Sequence, residues 1–263
     1  MNKLIPCCVL LCCAVASAKD IRLASPDKNI QTVVTVQDGT LSYKLDYKGA
    51  PVILPSKLGF VAQQDCTQGF TYLADQTRAV RQSWRNPFGE RALVPDVYQE
   101  THIALACGKL KLILECRQYD AGFAFRYVFP KQETASLQFK SEETQFVFGG
   151  DYRTWPVYNA QGNYKPSVLT AVKPGAERPL VVELPNAVVA LGEAALIDFA
   201  RMKFHNPAKN TTLVSKLDGT AELTLPGATP WRYVRVAADI CRLYDGNDLL
   251  LNINEPCTLK DTS

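Results

Sequence analysis

Glu193 is the residue whose setting in this sequence most demands a chemical explanation. It stands inside Val188-Val-Ala-Leu-Gly-Glu-Ala-Ala-Leu-Ile-Asp-Phe199, the most apolar run after the N-terminus. In a strand, side chains alternate faces, so Glu193 shares one with Val189, Leu191, Ala195, Ile197 and Phe199. In a helix it neighbours Val189, Ala190, Leu196 and Ile197 at spacings of three and four. Either way a carboxylate sits on an apolar surface, where an unpaired charge is costly. Glu193 therefore needs a partner: an arginine, a shared proton or a metal ion. The ordinary outcomes are an internal salt bridge or a strand-end glutamate that reaches water.

Other reactive groups are sparse. A nucleophilic triad needs a histidine base, and the chain holds two histidines, His102 and His205. His102 alternates with Ile103 on an expected strand and reads as a satisfied or surface histidine. His205 follows the Glu193 stretch, with no nucleophile beside it in sequence. No GxSxG, P-loop, EF-hand ladder or post-strand GxGxxG occurs. Glycoside hydrolysis asks for two carboxylates with opposed pKa values across a cleft. Glu90, Glu100, Asp151, Glu193 and Glu255 are formally available beside aromatics or prolines, but spacing does not say which face one another. No catalytic or cofactor-binding residue is assigned from spacing.

The elements that must position these groups read as strands. Leu41, Tyr43, Leu45 and Tyr47 alternate with Ser42, Lys44 and Asp46, the pattern of a half-buried antiparallel strand. Asp38-Gly39 before it is a hairpin signal. Leu110, Leu112, Leu114 and Cys116 alternate likewise, then Phe123, Phe125, Tyr127 and Phe129 after the turn at Asp120-Ala-Gly122. Further strands are expected at 144–148, 180–184, 187–191, 221–225 and 232–237. A short helix fits 242–252, and strand with turn is preferred over helix for 194–204. Gly and Pro punctuate the chain every dozen residues or so, the rhythm of an all-β fold. The expectation is one large antiparallel sandwich.

Residues 1–18 read as a signal peptide: Lys3, a short apolar core from Leu4 to Val15, then Ala16-Ser-Ala18. The mature chain, residues 19–263, is expected to be periplasmic or secreted and free of the membrane. Its charge of about +2, after the signal's Lys3 is subtracted from +3, is intermixed and argues against nucleic acid. Cys66, Cys107, Cys116, Cys241 and Cys257 remain, an odd number, so at least one is free or intermolecular. Cys107 and Cys116 are tempting partners. A tight Gly108-Lys109 hairpin would instead pair position 107 with 110 and place Cys116 near Thr101.

Read together, the local motifs suggest a family. They are Ser25-Pro-Asp-Lys, Tyr98-Gln-Glu100, Arg117-Gln-Tyr-Asp-Ala-Gly-Phe-Ala-Phe-Arg-Tyr127 and Glu193-Ala-Ala-Leu-Ile-Asp198. Thr229-Pro-Trp-Arg-Tyr-Val234 and Asn252-Ile-Asn-Glu-Pro-Cys257, with Asp261-Thr-Ser263, complete the set. In this order they resemble the N-terminal domain of glycoside hydrolase family 97, bacterial exo-acting α-glucosidases and α-galactosidases. The resemblance implies a β-super-sandwich of the galactose-mutarotase-like type, packed in full-length members against a catalytic (β/α)8 barrel. It implies carbohydrate as the partner and a calcium ion that receives one carboxylate from this domain; by context that carboxylate is Glu193. The chain stops at Ser263, so the barrel and its catalytic acids are expected to lie outside it, and a separately encoded barrel would be a partner. After Asp198 the sequence has Phe-Ala-Arg-Met where the family has an aromatic-Pro-Gly-Met turn, which bears on the aim of Glu193. The alternatives are a self-sufficient mutarotase-like enzyme, which the two histidines serve poorly, and a non-catalytic interaction module.

Overall fold

The computed structural model describes residues 18–87 and 89–256. The expected signal segment, apart from Ala18, and Cys257 lie outside the described residues. The principal strands in chain order are β1 (Lys19–Ala24), β2 (Ile30–Gln37), β3 (Thr40–Tyr47), β4 (Ala50–Leu58), β5 (Phe70–Arg85) and β6 (Leu93–Cys107). Next come β7 (Leu110–Tyr119), β8 (Gly122–Phe129), β9 (Gln145–Val147), β10 (Arg153–Trp155) and β11 (Ser167–Val168). The last are β12 (Leu180–Leu184), β13 (Ala187–Ala194), β14 (Met202–His205), β15 (Thr212–Leu217) and β16 (Trp231–Ala237).

They form two large antiparallel sheets. The seven-stranded sheet runs β1-β2-β3-β4-β9-β15-β14, and the ten-stranded sheet runs β11-β10-β12-β13-β16-β8-β7-β6-β5 with a short strand at 227–228 beside β8. The alternation that marks these strands in sequence is the alternation of their faces. Leu112, Leu114, Phe123, Phe125, Val189, Leu191, Val234 and Val236 point inward and meet Val34, Tyr43, Leu45 and Ile53 of the facing sheet in one core. Phe60, Tyr127, Phe129 and Phe139 close one part of it with ring centroids 4.9 to 5.9 Å apart, tilted or edge-on.

Turn chemistry sets the register. Asp38 and Gly39 both have positive φ, +49° and +75°, as the two-residue hairpin between β2 and β3 requires. Cys107 opposes Leu110 and Thr101 opposes Cys116, so the Gly108-Lys109 turn holds the two cysteines apart. The disulfide joins Cys66 to Cys107 instead; Cys116 is free and buried, Cys241 free and exposed.

The outer face of the ten-stranded sheet meets the C-terminal helices α1 (Ile240–Asp245) and α2 (Asp248–Asn252). The Asp239 carboxylate caps α1 by accepting the Arg242 N–H at 2.9 Å. Arg235, buried and without a carboxylate partner among the described residues, donates to the Leu243 carbonyl and to Asn247 Oδ1, the latter at 2.8 Å. A cation on the last carbonyls of a helix is favourably placed, and burial holds this guanidinium below its usual pKa. Gly192 lies beneath Tyr233 on the same face, where an added Cβ would collide with the ring and its hydroxyl. Gly192→Ala is expected to lower stability by about 1–3 kcal/mol in urea titrations.

Candidate functional site

Strand register puts Glu193 inside the sandwich. It opposes Arg232, which opposes Phe125, then Cys116, Thr101 and Thr77, so the whole row faces one way. β13 ends one residue later, and Ala195 and Asp198 adopt left-handed φ values of +51° and +49° as the chain leaves the sheet. The Glu193 side chain is only 3% exposed, and both its oxygens are occupied. Arg232 Nη1 lies 2.7 Å from Oε2 and Arg178 Nε lies 2.5 Å from Oε1. The Met202 N–H donates to both, at 3.1 and 3.0 Å. Burial pushes the Glu193 carboxyl above the usual glutamate range, and Arg232 and Arg178 pull it part of the way back.

This pair belongs to a longer string. Arg232, 1% exposed, donates from Nε and Nη2 to Glu142 at 2.8 and 2.6 Å. On the other side Arg178 donates to Glu177 at 2.6 Å, Glu177 meets Arg201 and Lys203 at 3.5 and 3.6 Å, and both cations reach Asp218. Glu142, Glu193, Glu177 and Asp218 are thus matched by Arg232, Arg178, Arg201 and Lys203, a neutral string from core to surface. A buried carboxylate needs such compensation.

Glu193 as a calcium ligand must be judged against that arrangement. Calcium takes six to eight oxygens, while the nearest groups to this carboxylate are two guanidiniums and one N–H. The described residues do not assemble a calcium site around Glu193 by themselves. Glu193 fits as one ligand among several only if Arg178 moves off Oε1, and Glu177 is already in place to hold Arg178.

The opposite face of the same strands carries a second constellation. One outward row is Gly192, Tyr233, Ala124, Arg117, Glu100 and Arg78, and the next holds Arg126, Glu115 and His102. Cross-strand neighbours on a face interact directly. Arg78 Nε sits 2.5 Å from Glu100, Arg126 Nε 2.7 Å from Glu115, and Arg117 bridges to both acids at 3.4 and 3.2 Å. The guanidinium of Arg117 lies 4.8 Å from the Trp231 ring and 4.9 Å from Tyr98, and that of Arg126 lies 4.4 Å from Trp231. The Glu100 and Glu115 side chains are 3% and 8% exposed. Beside them opens a cleft of about 440 Å³, lined among others by Trp84, Tyr98, Arg117, Arg126, Trp231 and Asn254.

Four of the motifs quoted from the sequence meet here. Tyr98 and Glu100, Arg117 and Arg126, Trp231, and the segment 252–256 all line the cleft or lie beneath it. The Ser25-Pro-Asp-Lys motif is a turn: Asp27 accepts from Ser25 and Asn29, and its N–H donates to Asp120 at 2.8 Å.

The remaining candidates are dispersed. Glu90 accepts from the Tyr244 hydroxyl, and Asp151 accepts from the N–H and hydroxyl of Thr170. His205 on β14 makes no contact with a nucleophile among the described residues, and burial with Lys216 and Lys203 nearby lowers its pKa. Glu255 lines the cleft. Glu100, Glu115 and His102 come within metal-binding reach of one another, their ligand atoms within 4.8 Å. Three arginines already occupy those carboxylates, which disfavours a cation. Reading acids singly misses this cluster. The signal is present in the outward positions of β6, β7 and β8, where Glu100, His102, Glu115, Arg117 and Arg126 alternate with core residues.

Two sheets packed face to face, with a polar outer surface on the larger, define a β-super-sandwich domain. The family described as Glycosyl-hydrolase 97 N-terminal matches residues 23–256, and the chain belongs to it, as the N-terminal domain of that glycoside hydrolase family. Among solved structures, it superposes on a glycoside hydrolase family 97 enzyme in complex with acarbose from Pseudoalteromonas sp. strain K8 with a TM-score of 0.85, at 24% identity over 92% of this chain. A single-residue variant of an enzyme from the same strain gives 25% identity and the same TM-score. A β-arabinopyranosidase gives 21% identity and 0.77 over 84% of the chain. This chain spans about two-fifths of each of those proteins, 39% and 40%.

Proposed function

We propose that this chain is a secreted, non-catalytic component of an exo-acting α-glycosidase, closing one side of a sugar pocket and lending Glu193 to a calcium ion. The observation that carries the reading is the family match over residues 23–256, combined with acarbose bound to one enzyme of the same fold. Catalytic acids would come from a (β/α)8 barrel, and no barrel is present among the described residues. In the assembled enzyme Arg178 would turn wholly to Glu177, freeing Oε1 of Glu193. A calcium ion there would help orient water or polarise the glycosidic oxygen.

The test uses the purified chain with and without millimolar calcium. It is expected to release no nitrophenol from aryl α-glucosides or α-galactosides, and calcium is expected to leave its Tm unchanged, because Arg178 and Arg232 hold Glu193. Turnover by the chain alone would overturn the non-catalytic reading. A calcium-dependent rise in Tm that Glu193→Gln abolishes would mean that this domain completes the site unaided.

A further inference from the structure

The outer-face cleft is lined by arginines held in a fixed frame of rings and carboxylates. Trp231 and Tyr98 stack against the guanidiniums of Arg117 and Arg126, and buried Glu100 and Glu115 hold them from behind. An arginine fixed in this way loses little further freedom when it donates to a ligand. Arg126 commits Nε to Glu115, and its two terminal nitrogens have no partner among the described residues. The Arg85 side chain lines the same cleft and makes no hydrogen bond or ion pair among the described residues, its backbone alone pairing with Leu93. Arg117 Nε, buried in the frame, meets Glu100 at 3.4 Å without hydrogen-bond geometry, so this donor is held by charge rather than by a hydrogen bond.

Charge decides the class of ligand. Arg85, Arg117 and Arg126 face the cleft with Asp96 and Glu255. Glu100 and Glu115 lie beneath, and Arg78 covers Glu100. Four cations and four anions leave no net field to draw in a phosphate or a metal ion. What the cleft offers is planar donors and acceptors, with Gln82 and Asn254 added, beside the aromatic surface of Trp84. Its volume of about 440 Å³ lies within the usual range for small-ligand sites, roughly 300–1,000 Å³.

We infer that this cleft binds an uncharged pyranose, whose hydroxyls both donate and accept and whose ring carbons present an apolar face. The inference rests on the carbohydrate reading above and gives it a location that needs no barrel. Intrinsic fluorescence is a direct readout, since two of the three tryptophans, Trp84 and Trp231, line the cleft.

Maltose and methyl α-galactoside would be titrated into the full chain, with glucuronate and inorganic phosphate alongside. A neutral sugar is expected to shift the emission with a millimolar Kd that is insensitive to salt. Arg85→Ala, at a side chain with no described partner, and Trp84→Ala are each expected to weaken binding at least tenfold with little change in Tm. Arg117→Lys, which keeps the charge but loses the planar fork, should also weaken binding, with a fall in Tm because Arg117 bridges Glu100 and Glu115. Sugar binding unaffected by all three variants would overturn the cleft assignment and leave the carbohydrate reading standing. No binding of either neutral sugar would overturn both the cleft and glycan contact by this domain. Salt-sensitive binding of glucuronate or phosphate alone would overturn the neutral class.

Discussion

Replacing Arg232 with methionine is expected to lower the stability of the domain by about 3–5 kcal/mol, the usual cost of stripping one partner from a buried ion pair. In a domain of this size that corresponds to a fall in Tm of roughly 10 °C. Arg232 is the central link between Glu142 and Glu193, donating to both at 2.6 to 2.8 Å with 1% of its side chain exposed. Methionine fills much of the same volume, so the loss comes chiefly from uncompensated charge rather than from a cavity. Buried Glu142 is left without a cation, its closest donor the Thr144 hydroxyl at 2.8 Å, and Glu193 keeps Arg178 as its one cation. The comparison that isolates this cause is the triple variant Arg232→Met, Glu142→Leu, Glu193→Met. Replacing a buried charge group by apolar side chains is often neutral or better, and Arg178 keeps Glu177 as its partner at 2.6 Å, so most of the lost stability should return. A triple variant no more stable than Arg232→Met would show that packing, not uncompensated charge, sets the effect.

The same variant carries a pH signature whose sign follows from Glu193. Its folded carboxyl lies above the ordinary glutamate value because burial outweighs the pull of Arg232 and Arg178. A group raised on folding contributes stability that is fully present below its unfolded pKa and lost as pH rises through its folded pKa. Removing Arg232 takes away the strongest counterweight and lifts the folded value further. The deficit of Arg232→Met should therefore be largest at neutral pH and shrink as pH falls toward the ordinary glutamate range. Urea midpoints of both proteins at a series of pH values check this, and a deficit that grows on acidification would contradict it.

Much of the sandwich is legible in the sequence because burial and alternation coincide wherever one face is wet and the other dry. β3, β7 and β8 are such strands. β5 is invisible for the opposite reason: Phe70–Arg85 pairs only with β6 along its edge, and its side chains are nearly all exposed, so no apolar period marks it. Arginines at 78, 81 and 85 suit an edge that must not recruit a second chain. Glu193 is legible as a carboxylate needing a partner, and its partners are arginines in this structure. The identity of those arginines is not legible. Arg178 lies outside the strand, and Arg232 becomes a neighbour only through a register that pairs residues 39 positions apart. The outer cleft is half legible: its motifs are visible as fragments, while their meeting on one face depends on strand order β6-β7-β8-β16.

Opening the Cys66–Cys107 disulfide, by the double variant Cys66→Ala, Cys107→Ala, is expected to lower stability by about 4 kcal/mol. That figure is the chain-entropy value for the loop that a separation of 41 residues closes. The bond joins the short strand Asp65–Cys66 to the end of β6, so it closes the loop that contains the entire β5–β6 ribbon. The bond pins the end of the ribbon where Phe70 pairs with Cys107, and β5 itself contributes few buried side chains and pairs with β6 alone. The loss should therefore be local as well as global: amide exchange should accelerate in 70–107 before it does in β8 or β16, which lie inside the sheet. Reduced wild-type protein should match the oxidised double variant in urea midpoint, because the same constraint is missing in both. If the two differ widely, alanine at 66 or 107 has damaged packing in its own right. Cys66 and Cys107 are both buried, with Gln64 donating to the Cys107 carbonyl at 2.6 Å. The ribbon carries Arg78, Trp84, Tyr98 and Glu100, so a frayed ribbon would also loosen the cleft. Sugar affinity should then fall on reduction of the wild type, although no residue of the cleft has changed.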